Sequence, residues 1–413
     1  MTAHPQPAPP PEPEPEPRLP DWRRNLAVLW VAQFTAILGF AFAFPFLPLY
    51  LKDLGVHRQD QLAFFSGLAG GASGLALMVA SPLWGIVADR YGRKSMLVRA
   101  MIGGAVTLTL LGFARGPGDV IVLRFLQGAS SGTVGAATAL VATGTPRARV
   151  GWALGVLTSA VAVGSAMGPF LGGIAAGQLG LRAVFWVGGG MLALAALGAA
   201  LLIRETMVPR STAKAGTALT TLRQSGPHAL AAIGALLICQ AILQTAYSGF
   251  SPLLVLKLLT VIPSGAATIT GVAFGISGLS SAAAAVLYAP FARRLGYRRL
   301  AVVTALGVGA GLALAGLGTM AWTMVLSAGF LGLMFGATSP ALSAMLGLEV
   351  PASIQARIFG FSSSATALGF ALGPLGGGSI AARWGPSTGL LCLAGATLLL
   401  AAVLVARVRE PAR

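Results

Sequence analysis

Residues 85–94 read GIVADRYGRK, which places four charged side chains, Asp89, Arg90, Arg93 and Lys94, in a chain that is only 9% charged and 55% hydrophobic. An apolar run lies on either side, residues 62–88 before the charges and 96–114 after them. Each run has about the 20 helical residues that cross a hydrocarbon core of roughly 30 Å. The stretch is therefore a tight turn between two membrane-crossing helices, with Gly92 making the turn and Arg93 and Lys94 holding the membrane surface. Asp89 does not fit that account. It ends a helix, where the macrodipole disfavours negative charge, so its carboxylate needs a partner elsewhere, either neighbouring arginines or the N-terminus of another helix.

The same reading extends outward. Apolar runs also cover residues 25–51, 120–143, 152–178 and 183–203, then 229–256, 267–292, 300–318, 322–346, 354–382 and 387–406, twelve in all. None has the ten-residue alternation of a barrel strand, and lipid leaves helices as the other way to satisfy the backbone. With a mean hydropathy of +0.80, the composition excludes a water-soluble domain, which carries about a quarter charged residues. The expected fold class is an all-α polytopic membrane protein of twelve transmembrane helices.

Basic residues fix its orientation. Connections on one side, with both termini, carry 21 Lys and Arg; the opposite connections carry six, and Arg124 alone falls in mid-span. A multi-pass inner-membrane protein with both termini cytoplasmic follows. The formal charge of +17 is scattered in short clusters, without the contiguous basic face of a nucleic-acid site. Cys239 and Cys392 sit inside apolar runs, and His4, His57 and His228 are dispersed, so neither a metal site nor a cofactor nor the convergent residues of an enzyme is expected.

Residues 1–20 are dominated by proline with alternating glutamates and read as a disordered tail. They lack the features of a signal peptide, and the first run is too long for one. Residues 204–228 are the longest polar connection and divide the chain into a first half, 21–203, and a second, 229–413. An internal repeat agrees: GSAMGPFLGG at 164–173 recurs as GFALGPLGGG at 369–378. Two pseudo-symmetric six-helix halves, with substrate near the midplane between them, is the architecture this predicts. In the fifth run Gly164, Gly168, Pro169, Gly172 and Gly173, and in the eleventh Gly369, Gly373, Pro374 and Gly377, make smooth faces for close helix packing where the halves meet.

GIVADRYGRK, spanning Gly85 to Lys94, matches the loop signature of the major facilitator superfamily, which the chain resembles from about Trp22 to Arg409. The glycine-proline run of the fifth span resembles the twelve-span drug:proton antiporter branch, of the multidrug efflux type. The resemblance implies that Asp89 docks on the start of the eleventh span, near Ser353 and Ile354, to stabilise an outward-open state, with Arg90 and Arg93 as its local network. The repeat departs here, with Arg293 at the place of Asp89, so a second latch is not expected. Export of drugs or small metabolites by proton antiport and alternating access is what the resemblance implies, by a monomer whose partners are the lipid bilayer, a small-molecule substrate and protons.

Arg124, followed by Gln127 and Gly128, is a charge inside the membrane, which costs at least ~2.5–3.5 kcal/mol and marks a functional site unless backbone carbonyls or snorkelling account for it. The resemblance favours a role in proton coupling or substrate contact. None of the eleven acids lies centrally in a span, so no obvious carboxylate carries a proton. A cavity whose charge is Arg124 disfavours cations and accepts neutral or anionic substrates. Gln33, Gln240, Gln244, Tyr247 and Tyr288 are the polar candidates for its lining; for the glutamines, bonding between helices is an equal alternative. A facilitator or uptake carrier for a sugar or organic anion is the rival reading.

Overall fold

The computed structural model describes residues 22–146, 149–205, 226–262, 265–350 and 355–410. The proline-rich stretch 1–20 and most of the connection 204–228 lie outside the described residues. Among the described residues every regular element is helical: α1 (Trp22–Ala43), a 3-10 turn (Phe44–Phe46), α2 (Leu47–Asp53), α3 (Gln59–Tyr91), α4 (Arg93–Leu111), α5 (Pro117–Ser130), α6 (Thr133–Gly144), α7 (Val150–Leu179), α8 (Leu181–Leu202), α9 (Gly226–Val261), α10 (Ala266–Leu295), α11 (Tyr297–Leu317), α12 (Ala321–Glu349), α13 (Gln355–Trp384) and α14 (Pro386–Arg407). Among the described residues eleven helices are long and apolar enough to cross a membrane, and with one further span in two pieces they build the expected twelve-helix membrane fold.

The remaining span, the fourth, is present in two pieces. The run 120–143, expected as one helix, is α5 followed by α6, because Gly132 has φ +128° and breaks the ladder. The side chains around the break take up its freed carbonyls: Trp84 Nε1 donates to Ala129 O at 2.6 Å and an Arg99 η-nitrogen to Ser131 O at 3.2 Å. The run 25–51 is also interrupted. Pro45 and Pro48 lack the amides that a continuous helix needs there, and the chain passes through the 3-10 turn before α2.

Within the first half, α1 packs on α7 and α8, and α4 on α8. Tyr50, fully buried, donates to Leu111 O at 2.7 Å and meets the Phe185 ring at 4.6 Å. The main crossings between the halves are α3 with α13 and α7 with α10. Both crossings are glycine-lined. A methyl carbon placed on Gly74 would lie 2.6 Å from Ala371 N, and one on Gly67 would lie 2.9 Å from Gly378 Cα; across the second pair, one on Gly173 would lie 2.7 Å from Gly271 Cα.

The seam is uneven along its length. These contacts run from the middle of α3 and α13 to the ends of α3, α7, α10 and α13 remote from the chain termini. Towards the termini, Gly85 on α3, Gly151 and Gly155 on α7 and Gly360 on α13 have no atom of the described residues within 4 Å of a built methyl carbon, and Leu83 and Phe361 are exposed. Among the described residues the halves are closed together at one end and apart at the end that carries the termini.

Glycine packing corrects one expectation. Gly164, Gly168 and Gly172 were expected at the meeting of the halves, but they face Phe34, Ile37, Ala41 and Phe42 of α1 in their own half. Their copies Gly369 and Gly373 face Ala241, Gln244, Thr245 and Ser248 of α9. A four-residue spacing keeps a helix face constant, whereas Gly173 and Gly378 lie one residue further around and reach the seam.

Candidate functional site

On α5 the residues turned inward are Val120, Arg124, Gln127 and Gly128, spaced as one helical face. Arg124 is 8% exposed. Its guanidinium donates to Gln127 Oε1 and stands 4.7 Å from the centre of the Phe44 ring, over the 3-10 turn that interrupts the first span. Arg124 Nε and Gln127 Nε2 are buried donors without a hydrogen-bond partner, and Gln33 Oε1 on α1 is a buried acceptor without one. Gln33 Nε2 reaches Thr133 Oγ1 at 3.5 Å, on the far side of the Gly132 break. Both broken spans thus contribute to one buried polar cluster. Among the described residues Arg124 has no acidic partner: the one ion pair is Arg58–Asp60 on the surface. Gly128 lets α5 lie directly on the Ser73 backbone of α3.

Candidates in the second half are arranged differently. Gln240 accepts from Ser362 Oγ of α13, and Gln244 packs against Gly369 of the same helix. Tyr247, on the adjoining face, stacks on Phe335 of α12 with ring centres 3.9 Å apart. Tyr288 is half-buried near the end of α10 that carries Arg293 and Arg294, away from this group.

The turn at 85–94 is α3, then Gly92 with φ +87°, then α4. Arg93 donates to Ala139 O at 2.8 Å and Thr143 Oγ1 at 2.6 Å, tying α4 to the end of α6. Arg90 stands 5.5 Å from the Tyr91 ring. The Asp89 side chain, and Ser353 and Ile354, lie outside the described residues.

Sequence reading missed Glu205. Its carboxylate accepts from the backbone amides of Arg93 at 2.8 Å and Lys94 at 3.0 Å, sitting on the unpaired amides that begin α4. Glu410 does the same at the start of α11, where its oxygens accept from the amides of Tyr297 at 2.6 Å and Arg298 at 3.0 Å. A signal was available, since the two glutamates are separated by the offset of 205 that relates the glycine repeats. Each clamp ties the last helix of a half to its third.

A sequence profile of the Major Facilitator Superfamily matches residues 29–236 and again 236–413. The chain is similar to the Multidrug resistance protein MdtG of Salmonella paratyphi C (strain RKS4594), 32% identical over 367 residues covering 88% of this chain and 90% of the relative. Against the protein of that name from Klebsiella pneumoniae (strain 342), identity is 33% with 95% of each chain covered. Among solved structures, the nucleoside transporter NupG superposes with a TM-score of 0.73 at 18% identity, over 93% of this chain and 99% of that one. The repeated profile match, the two related halves and the full-length relatives together place the chain in the Major Facilitator Superfamily of membrane transporters.

Proposed function

We propose that the protein is an exporter of drugs or small metabolites, driven by proton antiport and working by alternating access as a monomer in a cell inner membrane. Both termini face the cytoplasm on this reading, so the structure is open to the cytoplasm and closed at the outer glycine crossings. Drug export follows the multidrug resistance relatives; the substrate's charge class follows the site.

The observation that carries this reading is Arg124, a buried guanidinium without an acidic partner among the described residues, beside free donors on itself and on Gln127. A like charge entering a region of low dielectric is repelled strongly, while an acceptor-bearing neutral or anionic molecule gains hydrogen bonds that are otherwise unmade. Two interrupted spans at this point are the arrangement by which transporters expose polar groups at the midplane. Asp89 serves as the latch of the opposite, outward-open state, in keeping with its place at the end of α3 that is now apart from α13.

The described carboxylates lie near helix ends or in connections, Asp53, Asp60 and Asp119 at one face and Glu205, Glu349 and Glu410 at the other. Proton coupling therefore runs through protonation at a surface carboxylate or through the substrate's own ionisable group. Inverted vesicles containing the purified protein test the reading. An acid-inside gradient should drive uptake of neutral or anionic compounds, and Arg124→Ala should abolish it. Equilibration indifferent to the gradient would make the protein a facilitator, and a preference for quaternary ammonium dyes would refute the assigned charge class.

A further inference from the structure

Outside the Arg124 site, a cleft of about 810 Å³ opens between α3, α4, α5 and α8 at the end of the first half that carries the termini. The Arg99 guanidinium carbon stands over the Trp84 ring, 3.6 Å from its centre, and Lys94 shares the same cleft. Arg99 donates to Ser131 O, and its Nε is buried without a partner. No described acidic side chain lines the cleft. Glu205, which reaches this helix end, has both oxygens on the amides of Arg93 and Lys94. Two positive charges therefore stand in one open cleft with no counter-ion among the described side chains. Val98 and Ile102 continue the wall along α4, and Ile102 and Val106, one turn apart, are about half exposed, as is Leu126 on α5.

The other half provides an internal comparison. At the offset of 204, Lys94 and Arg99 correspond to Arg298 and Val303. Arg298 is committed to the carbonyls of Leu404 and Val405, and Val303 is exposed. The fold itself does not require a cation at the place of Arg99.

We propose that this cleft binds an anionic phospholipid, its phosphate held between Lys94 and Arg99 and an acyl chain laid along Val98, Ile102 and Val106. Basic pockets between membrane helices at headgroup depth take anionic headgroups, and a guanidinium held over an aromatic ring keeps N–H donors for a phosphate. The apolar wall is what distinguishes a lipid from free phosphate as the occupant.

Native mass spectrometry of the full chain in detergent tests this, with phosphatidylglycerol, phosphatidylcholine and inorganic phosphate as probes. Phosphatidylglycerol should be retained in preference to phosphatidylcholine. Lys94→Gln and Arg99→Gln should each weaken its retention about fivefold. Arg299→Gln, which removes an exposed charge from the equivalent helix start of the other half, should leave it unchanged. Arg99→Lys, which keeps the charge but not the planar donor set, should bind between the parent and Arg99→Gln, and it carries the test together with Lys94→Gln if Arg99→Gln fails to fold. An equal loss in Arg299→Gln would reduce the effect to diffuse surface charge and overturn the site. Equal retention of phosphatidylcholine, or displacement of the lipid by inorganic phosphate at matched concentration, would overturn the lipid assignment.

Discussion

Gly67→Ala on α3 isolates the seam from the rest of the protein. A methyl carbon there would lie 2.9 Å from Gly378 Cα, and the reciprocal carbon on Gly378 would lie 2.6 Å from Gly67 Cα. Carbon atoms in contact sit at about 3.5–4.0 Å, so the two backbones must separate by roughly an ångström. Both atoms belong to helix backbones, which cannot rotate away as a flexible side chain can. Overpacking of this kind costs about 1–3 kcal/mol, and the cost falls only on the conformation in which this end is closed. The balance between the two conformations should shift about five- to 150-fold towards the state closed at the other end. Spin labels at Tyr91→Cys and Arg294→Cys, with Cys239 and Cys392 replaced by alanine, report the separation of the halves at the face carrying the termini. Pulsed dipolar spectroscopy should give a shorter distance population in Gly67→Ala than in the parent. An unchanged distribution would mean that the crossing yields without cost, and that the uneven seam does not set the resting conformation.

Other perturbations address the buried cluster and the helix-end carboxylates. Arg124→Lys should lose transport at least tenfold although the charge is kept, because an ammonium cannot present the planar N–H set that stands over Phe44 and donates to Gln127; proton-driven uptake into inverted vesicles reads this out, and wild-type rates would mean that only charge matters. Glu205→Gln and Glu410→Gln each remove the charge from a pair of amide contacts and should reduce stability by about 1–2 kcal/mol for each clamp, read as a lower midpoint of thermal unfolding; equal midpoints in variant and parent would show that solvent substitutes for both carboxylates. Asp89→Asn should abolish transport in a protein that still inserts and keeps the parent's size-exclusion profile; retained transport would remove Asp89 from the latch.

Much of this was legible in the chain. A span must be long enough for the hydrocarbon and must bond its own backbone, both local requirements, so the runs 62–88 and 300–318 appear as Gln59–Tyr91 and Tyr297–Leu317. Gly92 was readable as a turn for the same reason: its positive φ is a property of one residue. The breaks in the first and fourth spans were visible only in part. Pro45 and Pro48 announce the first, whereas Gly132 is one glycine among 56, and what makes it a break is the set of partners, Trp84 and Arg99, that take up the freed carbonyls. Arg124 was legible as a buried charge, but not its placement over Phe44 from another span.

By itself, then, the sequence determined the twelve apolar segments, their helical state, the repeat that relates the halves, and the residue types able to carry function. Tertiary structure alone decided which face of each glycine-rich helix meets its own half and which meets the other. It also decided that Glu205 sits on a helix start 112 residues away, and that the seam is closed at one end. The physical reason is the range of the forces involved. Crossing a bilayer is a requirement each segment meets alone, while a helix-end clamp or a glycine crossing exists only when two distant segments come within a few ångströms of each other.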